Sequence, residues 1–176
     1  MNRISDIFFT VIFLPFIIFL FILISVVIFF TFNGPILFWS KRNGKNNKIF
    51  LMPKFRTMNI NSPNVATHLL VNPEKHLTKI GKILRKFSLD EIPQFYSVLK
   101  GDMAIIGPRP ALYNQYDLIT LRGKYKLNKI LPGLTGWAQI NGRDELSIDE
   151  KVKLEIYYMS NKSLFFDLRI IFLTIF

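Results

Sequence analysis

The chain lacks cysteine altogether, and acidic residues are scarce in it. No cysteine occurs among its 176 residues, which excludes a disulfide framework and agrees with a reducing compartment. The 12 aspartates and glutamates are outnumbered by 23 lysines and arginines, so the formal net charge is +11. A chain this basic favours anionic partners, whether lipid headgroups, nucleic acid or phosphorylated substrates.

Several familiar motifs are missing as well. The sequence contains no P-loop, no G-x-G-x-x-G fingerprint and no G-x-S-x-G elbow. His68 and His76 lie in a polar segment without metal-ligand companions, so neither is a good candidate for catalysis or metal binding. Carboxylates and cations remain as the candidates for any chemistry.

Charge is absent from residues 7–32, a run made mostly of aliphatic and phenylalanine side chains. At about 1.5 Å per residue, a helix of this length could cross a hydrocarbon core roughly 30 Å thick. A secretory signal peptide fits poorly, because the run is too long for an h-region and no small-residue cleavage site follows it. We therefore predict a membrane helix that stays in the protein. Four cations follow it and predict a cytoplasmic flank: Lys41, Arg42, Lys45 and Lys48.

Pro15 lies about one third of the way along this run. It removes a backbone hydrogen bond and usually kinks or breaks a helix interior. Two geometries remain open: a straight or gently kinked span, and a sharp bend that returns both helix ends to the cytoplasmic face. Arg3 favours the second, because a cation near the N-terminus also prefers the cytoplasm.

The rest of the chain is predicted to form a small membrane-embedded α/β domain of surface helices and short strands. We divide the sequence into a membrane helix at residues 1–34, expected to be re-entrant, and a domain at residues 35–176. Pro53 predicts that its strand lies at a sheet edge. The other predicted elements, in chain order, are a hairpin at 33–58 with its turn at 42–47, a loop at 59–75, a basic amphipathic helix at 76–87, a helix at 93–100 that Gly101 ends, a short strand and rigid turn leading into a helix at 103–116, mostly turns at 131–144, and helices at 148–159 and 164–176.

Asp90 and Glu91 are adjacent carboxylates in the segment "SLDEIPQ", with cations on either side. The spacing of Ser88 and Glu91 matches a helix-capping box, which needs no function. Pro93 weakens that interpretation, because a helix starting at residue 89 would hold the proline where its missing N–H matters. A start nearer Ile92 leaves both acids at the mouth of the helix.

Carboxylates at a helix mouth are kept ionised by the helix dipole and by nearby cations. An ionised pair can hold Mg²⁺ through one or two oxygens while water and substrate phosphates complete the octahedron. A carboxylate can also attack phosphorus directly and form an acyl phosphate. The sequence therefore permits phosphoryl transfer at this pair.

Two arginines occupy constrained turns. Arg109 stands between two prolines in "GPRP", and Arg143 follows an Asn-Gly turn. A guanidinium matches phosphate oxygens with paired hydrogen bonds, so together they indicate a phosphate clamp. Lys54 and Arg56 alternate with Phe55 along a strand, which predicts both cations on one face. Structural salt bridging remains the alternative for these cations.

Three blocks now stand in order behind the hydrophobic run: "KFRTM", "SLDEIPQFYSVLKGDMAIIGPRP" and "LPGLTGWAQINGR". In this order they resemble the bacterial sugar transferases, and more narrowly the small monotopic polyprenyl-phosphate phosphoglycosyl transferases that start glycan assembly on a lipid. The resemblance runs from about Ile4 to the C-terminus. Larger relatives carry further membrane helices and a further domain ahead of this core.

The resemblance implies a two-step, Mg²⁺-dependent reaction at the cytoplasmic face of the bacterial inner membrane. Asp90 would attack the β-phosphate of a UDP-sugar, expel UMP and hold a phosphosugar covalently. Polyprenyl phosphate, usually undecaprenyl phosphate, would then accept the phosphosugar, and downstream glycosyltransferases would extend the product. Glu91 would support the metal or the second step. Arg85, Arg109 and Arg143 would bind substrate phosphates.

The small members of that family have a re-entrant helix that is broken at a Ser-Pro pair. Here Leu14 precedes Pro15, so the hydroxyl that could satisfy a freed carbonyl is missing. The bend is still expected from the resemblance.

Two other classes of function compete with this interpretation. A non-enzymatic adaptor that binds anionic lipid would explain the charge and the membrane helix, although not the ordered motifs around the acids. A membrane-tethered nucleic-acid binder would need a recognition helix or an aromatic platform, and the sequence shows neither. We therefore expect membrane lipid as a partner and no nucleic acid.

Overall fold

The computed structural model describes residues 3–32, 34–60, 62, 73–142 and 145–175. Its mixture of helices and short strands confirms the predicted α/β character, while the division at residue 34 stays a prediction. The helices and strands in chain order are α1 (Arg3–Thr31), β1 (Leu37–Asn43), β2 (Ile49–Phe55), α2 (Lys79–Lys86), α3 (Phe95–Lys100), β3 (Ala104–Ile106), β4 (Ala111–Leu112), α4 (Tyr116–Lys124), β5 (Gly133–Thr135), α5 (Trp137–Ile140), α6 (Ile148–Asn161) and α7 (Leu164–Ile175).

The hairpin formed by β1 and β2 is paired antiparallel along its whole length. Asn46 and Asn47 take positive φ angles of 55° and 61° in its turn, a conformation that asparagine tolerates better than most residues. The strand order β2-β1-β4 places β2 at an edge. Pro53 therefore costs the ladder no hydrogen bond, and the predicted edge position is confirmed.

Most of the predicted helices are confirmed. Thr78 caps α2 by accepting a hydrogen bond from Gly81 N, and Gly101 ends α3 with a φ of 95°. The strand, turn and helix predicted after residue 103 correspond to β3, the Pro-Arg-Pro turn and α4, with the two-residue strand β4 in addition. Both C-terminal helices form as α6 and α7. The loop predicted at 59–75 lies largely outside the described residues.

The prediction of mostly turns at 131–144 is wrong in part. Gly133–Thr135 forms β5, which pairs parallel with β3, and Trp137–Ile140 forms the short helix α5. The pairing requires a very close backbone approach. A Cβ atom on Gly133 would lie 2.1 Å from Gly107 N, and one on Gly136 would lie 2.2 Å from Gly107 O. Glycine is needed here for packing, not only for turns.

This close approach predicts a large difference between two glycine substitutions. Gly133→Ala is expected to lower the free energy of unfolding by about 1 to 3 kcal/mol or more, because backbone must move to admit the methyl group. Gly123→Ala is the matched control: its Cβ meets nothing within 4 Å, and it lies in α4. Alanine there is expected to raise stability by about 0.5 to 1 kcal/mol. Thermal unfolding in detergent would measure both, and equal effects would contradict the assigned β3–β5 packing.

The capping box that the spacing of Ser88 and Glu91 allowed does not form. Ser88 has a φ of 55° in the left-handed region and makes no side-chain cap, and residues Leu89–Gln94 form a 3₁₀ helix that leads into α3. The same Ser-x-x-Glu spacing does form a capping box at Ser147 and Glu150, which begins α6. Asp90 and Glu91 thus lie in a 3₁₀ helix just before α3, close to the predicted helix mouth.

The N-terminal end of α1 is held to the rest of the protein by polar contacts. Arg3 donates hydrogen bonds to Val98 O and Leu99 O at the end of α3. Asp6, which is only 2% exposed, accepts one from Ile105 N through Oδ1 at 3.1 Å. This end of the helix is therefore fixed against α3 and β3.

The C-terminal end of α1 is held to the same body by apolar packing. Ile24 and Ile28 are buried in one cluster with Phe55 of β2 and Leu84 of α2. Between the two ends, residues 11–23 contain no buried side chain. Pro15 lies inside the helix, with helical residues on both sides of it. A bend at Pro15 stays a prediction, whereas docking at both ends is observed.

Candidate active site

The acid pair lies in the 3₁₀ helix Leu89–Gln94, which packs against β2 and α2. Asp90 is buried, with 6% of its surface exposed, although it is an acid in a strongly basic chain. Burying a carboxylate is costly unless cations or hydrogen bonds compensate. The compensation comes from side chains of two other elements.

Lys54, near the end of β2, bridges the two acids. Its Nζ lies 2.8 Å from Glu91 Oε1 and 3.9 Å from Asp90 Oδ2. Its side chain is only 15% exposed, so these contacts are poorly screened by water. The predicted strand cation is thus part of the acid cluster.

Arg109 reaches the same carboxylate from the Pro-Arg-Pro turn. Its NH2 group donates to Glu91 Oε1 at 2.9 Å, the oxygen that also accepts from Lys54. The cation of this proline-constrained turn thus contacts the acid pair, which is the salt bridge that the sequence left open as the alternative. Whether it binds phosphate is a separate question that stays a prediction.

The pKa values of the three groups shift in different directions. Burial alone would raise the pKa of Glu91, but the charges and hydrogen bonds of Lys54 and Arg109 outweigh it and hold this pKa well below its usual range. Burial raises the pKa of Asp90, an effect that Lys54 opposes. Burial also lowers the pKa of Lys54, and Glu91 opposes that shift. Glu91 therefore stays ionised as the counter-ion of Lys54 and Arg109, while Asp90 is the more basic carboxylate of the pair.

The remaining predicted cations are placed differently. Arg85 donates through Nε to Thr57 Oγ1 at 2.9 Å, and its charge is one of those that lower the pKa of Asp90. Arg56 turns elsewhere: its Nε donates to Pro35 O at 3.0 Å, and its guanidinium lies 5.5 Å from the Phe38 ring centroid. Among the described contacts, Lys54 therefore binds the acid pair, whereas Arg56 contacts Pro35 and Phe38. Arg143 lies outside the described residues.

The oxygen ligands that Asp90 and Glu91 offer fit a Mg²⁺ ion that also binds water and substrate phosphate. Asp90 and Glu91 can offer one or two carboxylate oxygens, and no group of three or more histidine, cysteine or acidic side chains suited to a metal occurs in the described ranges. Mg²⁺ is commonly held in this way, by one or two carboxylates with water and substrate phosphates completing the shell. The residues present therefore fit a metal that arrives with a phosphorylated substrate, and magnesium stays a prediction.

Sequence reasoning missed three residues around this site. Thr57 accepts the Arg85 hydrogen bond, and Arg122 pairs with Glu155 while also donating to Arg109 O. Thr57 stands in the quoted "KFRTM" block, so that block held a signal for it. Arg122 and Glu155 are 33 residues apart in two helices, and no local motif marks them.

Together, a buried carboxylate of raised pKa, a second carboxylate bound by two cations and a third cation nearby form an arrangement that suits phosphoryl chemistry. Comparison with known proteins agrees. The sequence model described as "Bacterial sugar transferase" matches residues 1–176. The chain belongs to the bacterial sugar transferase family.

Individual relatives fall into two size groups. An uncharacterised sugar transferase, EpsL of Bacillus subtilis, is 41% identical over 165 residues, covering 90% of this chain and 80% of the relative. A UDP-N-acetylgalactosamine-undecaprenyl-phosphate N-acetylgalactosaminephosphotransferase of Aeromonas hydrophila is 39% identical over 148 residues, covering 81% of this chain and 35% of the relative. A UDP-glucose:undecaprenyl-phosphate glucose-1-phosphate transferase of Escherichia coli is 37% identical over 150 residues, covering 81% of this chain and 32% of the relative. The predicted class of enzyme, a phosphoglycosyl transferase, is confirmed by these relatives.

Proposed function

We propose that this chain transfers a sugar 1-phosphate from a UDP-sugar to polyprenyl phosphate and releases UMP. Relatives named as sugar phosphotransferases with undecaprenyl phosphate support the general reaction. The two relatives act on different sugars, so the sugar and the glycan pathway are left open. The observation that carries the proposal is the pair of buried Asp90 and partly buried Glu91, with Lys54 and Arg109 at hydrogen-bonding distance from Glu91.

The proposed reaction has two displacements at one phosphorus. An Asp90 carboxylate oxygen forms a bond to the β-phosphorus while the bond to the bridging oxygen breaks, and UMP leaves with that oxygen. A phosphate oxygen of polyprenyl phosphate then attacks the same phosphorus and displaces the Asp90 carboxylate. The product is a polyprenyl diphosphate sugar, the kind of acceptor that downstream glycosyltransferases extend.

Charge neutralisation is the main contribution of the other side chains. Lys54 and Arg109 lie beside Glu91, where the negative charge of a diphosphate would accumulate, and positioning with charge stabilisation accounts for most catalysis of phosphoryl transfer. Mg²⁺, held by Asp90 and Glu91, would supply further neutralisation of the diphosphate. Arg85 and Arg143 are proposed to bind substrate phosphates, and Arg56 has the weakest case because its contacts lie elsewhere.

The membrane is the proposed location because the acceptor is a lipid. Of the described helices, α1 alone is long and apolar enough to cross a bilayer by length and composition. Its exposed middle is covered with phenylalanine, isoleucine and valine, which suit a hydrocarbon environment. We place the domain on the cytoplasmic face, where the cationic flank after α1 is favoured.

Docking of both ends of α1 on one body supports the re-entrant geometry. A straight helix of 29 residues would be about 43 Å long and would carry its ends to opposite sides of a bilayer. Because the chain has no cysteine, single-cysteine labelling tests this directly. In intact spheroplasts, Ile4→Cys and Lys45→Cys are both expected to resist a membrane-impermeant maleimide, and both are expected to react in inverted vesicles. Labelling of Ile4→Cys alone in spheroplasts would show a spanning helix instead.

The reaction itself is tested by UMP release from solubilised protein with Mg²⁺, undecaprenyl phosphate and a panel of UDP-sugars. Multiple-turnover release that depends on both substrates supports the transferase and identifies its donor. A non-enzymatic adaptor releases no UMP with any donor, and such a result across the panel would move the interpretation to lipid binding alone.

A further inference from the structure

The Pro-Arg-Pro turn that carries Arg109 is held through its carbonyl groups. Pro108 and Pro110 have no backbone N–H, so this turn is short of donors for ordinary backbone hydrogen bonds. Its three consecutive carbonyls all accept bonds from elsewhere. Gly133 N donates to Pro108 O at 2.9 Å. Arg122 NH2 donates to Arg109 O at 3.0 Å, and Arg42 NH1 donates to Pro110 O at 3.1 Å.

The central bond comes from a buried ion pair. Arg122 of α4 meets Glu155 of α6 through two parallel contacts, Nε to Oε2 at 2.8 Å and NH2 to Oε1 at 2.5 Å. Arg122 is 8% exposed and Glu155 is 2% exposed. The paired geometry fixes the guanidinium plane, and the same NH2 group then reaches the carbonyl of Arg109. Glu155 thus orients Arg122 toward one particular backbone atom.

Stability is a weak reason for such a pair. Removing two charges from water costs several kcal/mol, and replacing a buried pair by apolar side chains of similar volume is often neutral or stabilising. Geometry offers a better reason. Arg109 must present its guanidinium to Glu91, and its backbone is the base from which that side chain extends.

We infer that Arg122, oriented by Glu155, is a positioning residue that fixes the Pro-Arg-Pro turn so that the Arg109 guanidinium meets the acid pair. Arg122 touches neither acid in any described contact and acts through the backbone of Arg109. The inference rests on the proposed function, because it concerns the rate of that reaction.

The test compares kcat and KM for UMP release in wild type and in the double variant Arg122→Met/Glu155→Met. Removing both charges together avoids an uncompensated buried ion, so the fold is retained. Misplacing a reacting or charge-stabilising group by about 1 Å costs about 100-fold, so we expect kcat/KM to fall roughly 10- to 100-fold. If the double variant does not fold, Arg122→Lys serves instead, since a lysine cannot hold both Glu155 oxygens and the Arg109 carbonyl.

A second comparison separates positioning from general loosening of the structure. In an Arg109→Ala background no guanidinium is left to position, so adding the methionine pair should change kcat/KM less than about twofold. Tyr158→Phe is the matched control: it also lies on α6 and removes a buried hydrogen bond, from Tyr158 OH to Asp167 Oδ1 at 2.8 Å. In each background Tyr158→Phe is expected to leave kcat/KM close to the value of that background without it.

Each outcome decides between the possibilities. A large loss in the methionine pair that disappears with Arg109→Ala supports the positioning role. Unchanged kcat/KM in the methionine pair, or the same loss with and without the Arg109 side chain, overturns it while wild-type UMP release upholds the transferase. Absence of UMP release by wild type overturns the proposed function, and the inference falls with it.

Discussion

Asp90→Asn is expected to lower UMP release at least about 1000-fold, because loss of a nucleophile typically removes most of an enzyme's rate enhancement. Asparagine keeps the size of aspartate, so packing in the 3₁₀ helix should survive. What disappears is the carboxylate oxygen that would attack phosphorus. On the proposed mechanism the remaining cations would still bind diphosphate, but no acyl phosphate could form.

Two measurements check this result. The first is the initial rate of UMP release, with Asp149→Asn as the control, since Asp149 is an exposed aspartate in the first turn of α6. The second is intact-protein mass after incubation with UDP-sugar and no acceptor. Wild type should gain one phosphosugar and Asp90→Asn none. An adduct on another residue, or wild-type activity in the asparagine variant, would remove Asp90 as the nucleophile.

Lys54→Met is expected to be the second most damaging change, with a fall in activity of about 100-fold at neutral pH. Removing one partner from a buried charge cluster leaves the other charges uncompensated, at a cost of about 3 to 5 kcal/mol. Lys54 lies between the two carboxylates, so both lose a cation at once. The loss should therefore be partly recovered in alkaline buffer.

The direction of the pH effect follows from the pKa shifts. Burial already raises the pKa of Asp90, and Lys54 is the first charge that opposes this rise. Without Lys54 the pKa of Asp90 rises further, and the ionised nucleophile is reached only at higher pH. The acidic limb of the pH–rate profile should therefore move to higher pH, with the apparent pKa belonging to the Asp90–Glu91 pair as a whole.

The control for this shift is Lys82→Met, which removes a lysine from an exposed ion pair with Glu74. It is expected to leave both the rate and the acidic limb in place, since exposed pairs contribute little. An acidic limb that stays unchanged in Lys54→Met would mean that the charge of Lys54 does not set the ionisation of the acid pair.

The parts of the fold that the sequence predicted are those encoded by neighbours along the chain. The Asn-rich turn predicts the β1–β2 hairpin, Pro53 predicts a strand at the sheet edge, and Gly101 predicts the end of α3. Each signal depends on the backbone preferences of one residue or a few. The sequence near Asp90 and Glu91 also predicted cations beside them, but it did not indicate that these would be Lys54 and Arg109.

The parts that escaped prediction depend on distant partners. β5 has only three residues and exists because its backbone pairs with β3, about 30 residues earlier. Ser88 carries the right spacing for a capping box, but its left-handed backbone prevents it, whereas Ser147 forms one with the same pattern. Arg122 and Glu155 meet only when α4 packs on α6. Side-chain placement of this kind has no short-range sequence signal.

Docking of α1 also determines the order in which the molecule can be completed during synthesis. Arg3 and Asp6 bond to atoms that lie 95 to 99 residues later in the chain. At roughly 5 to 20 residues per second, the ribosome delivers those partners roughly 5 to 20 s after the helix itself. Throughout that interval the N-terminal end of the helix lacks its protein partners, and in the proposed membrane location lipid would cover its apolar middle. In that location the bilayer would hold the newly made segment until Arg3 and Asp6 can bond to α3 and β3, so docking of this end is a late event in the maturation of the protein.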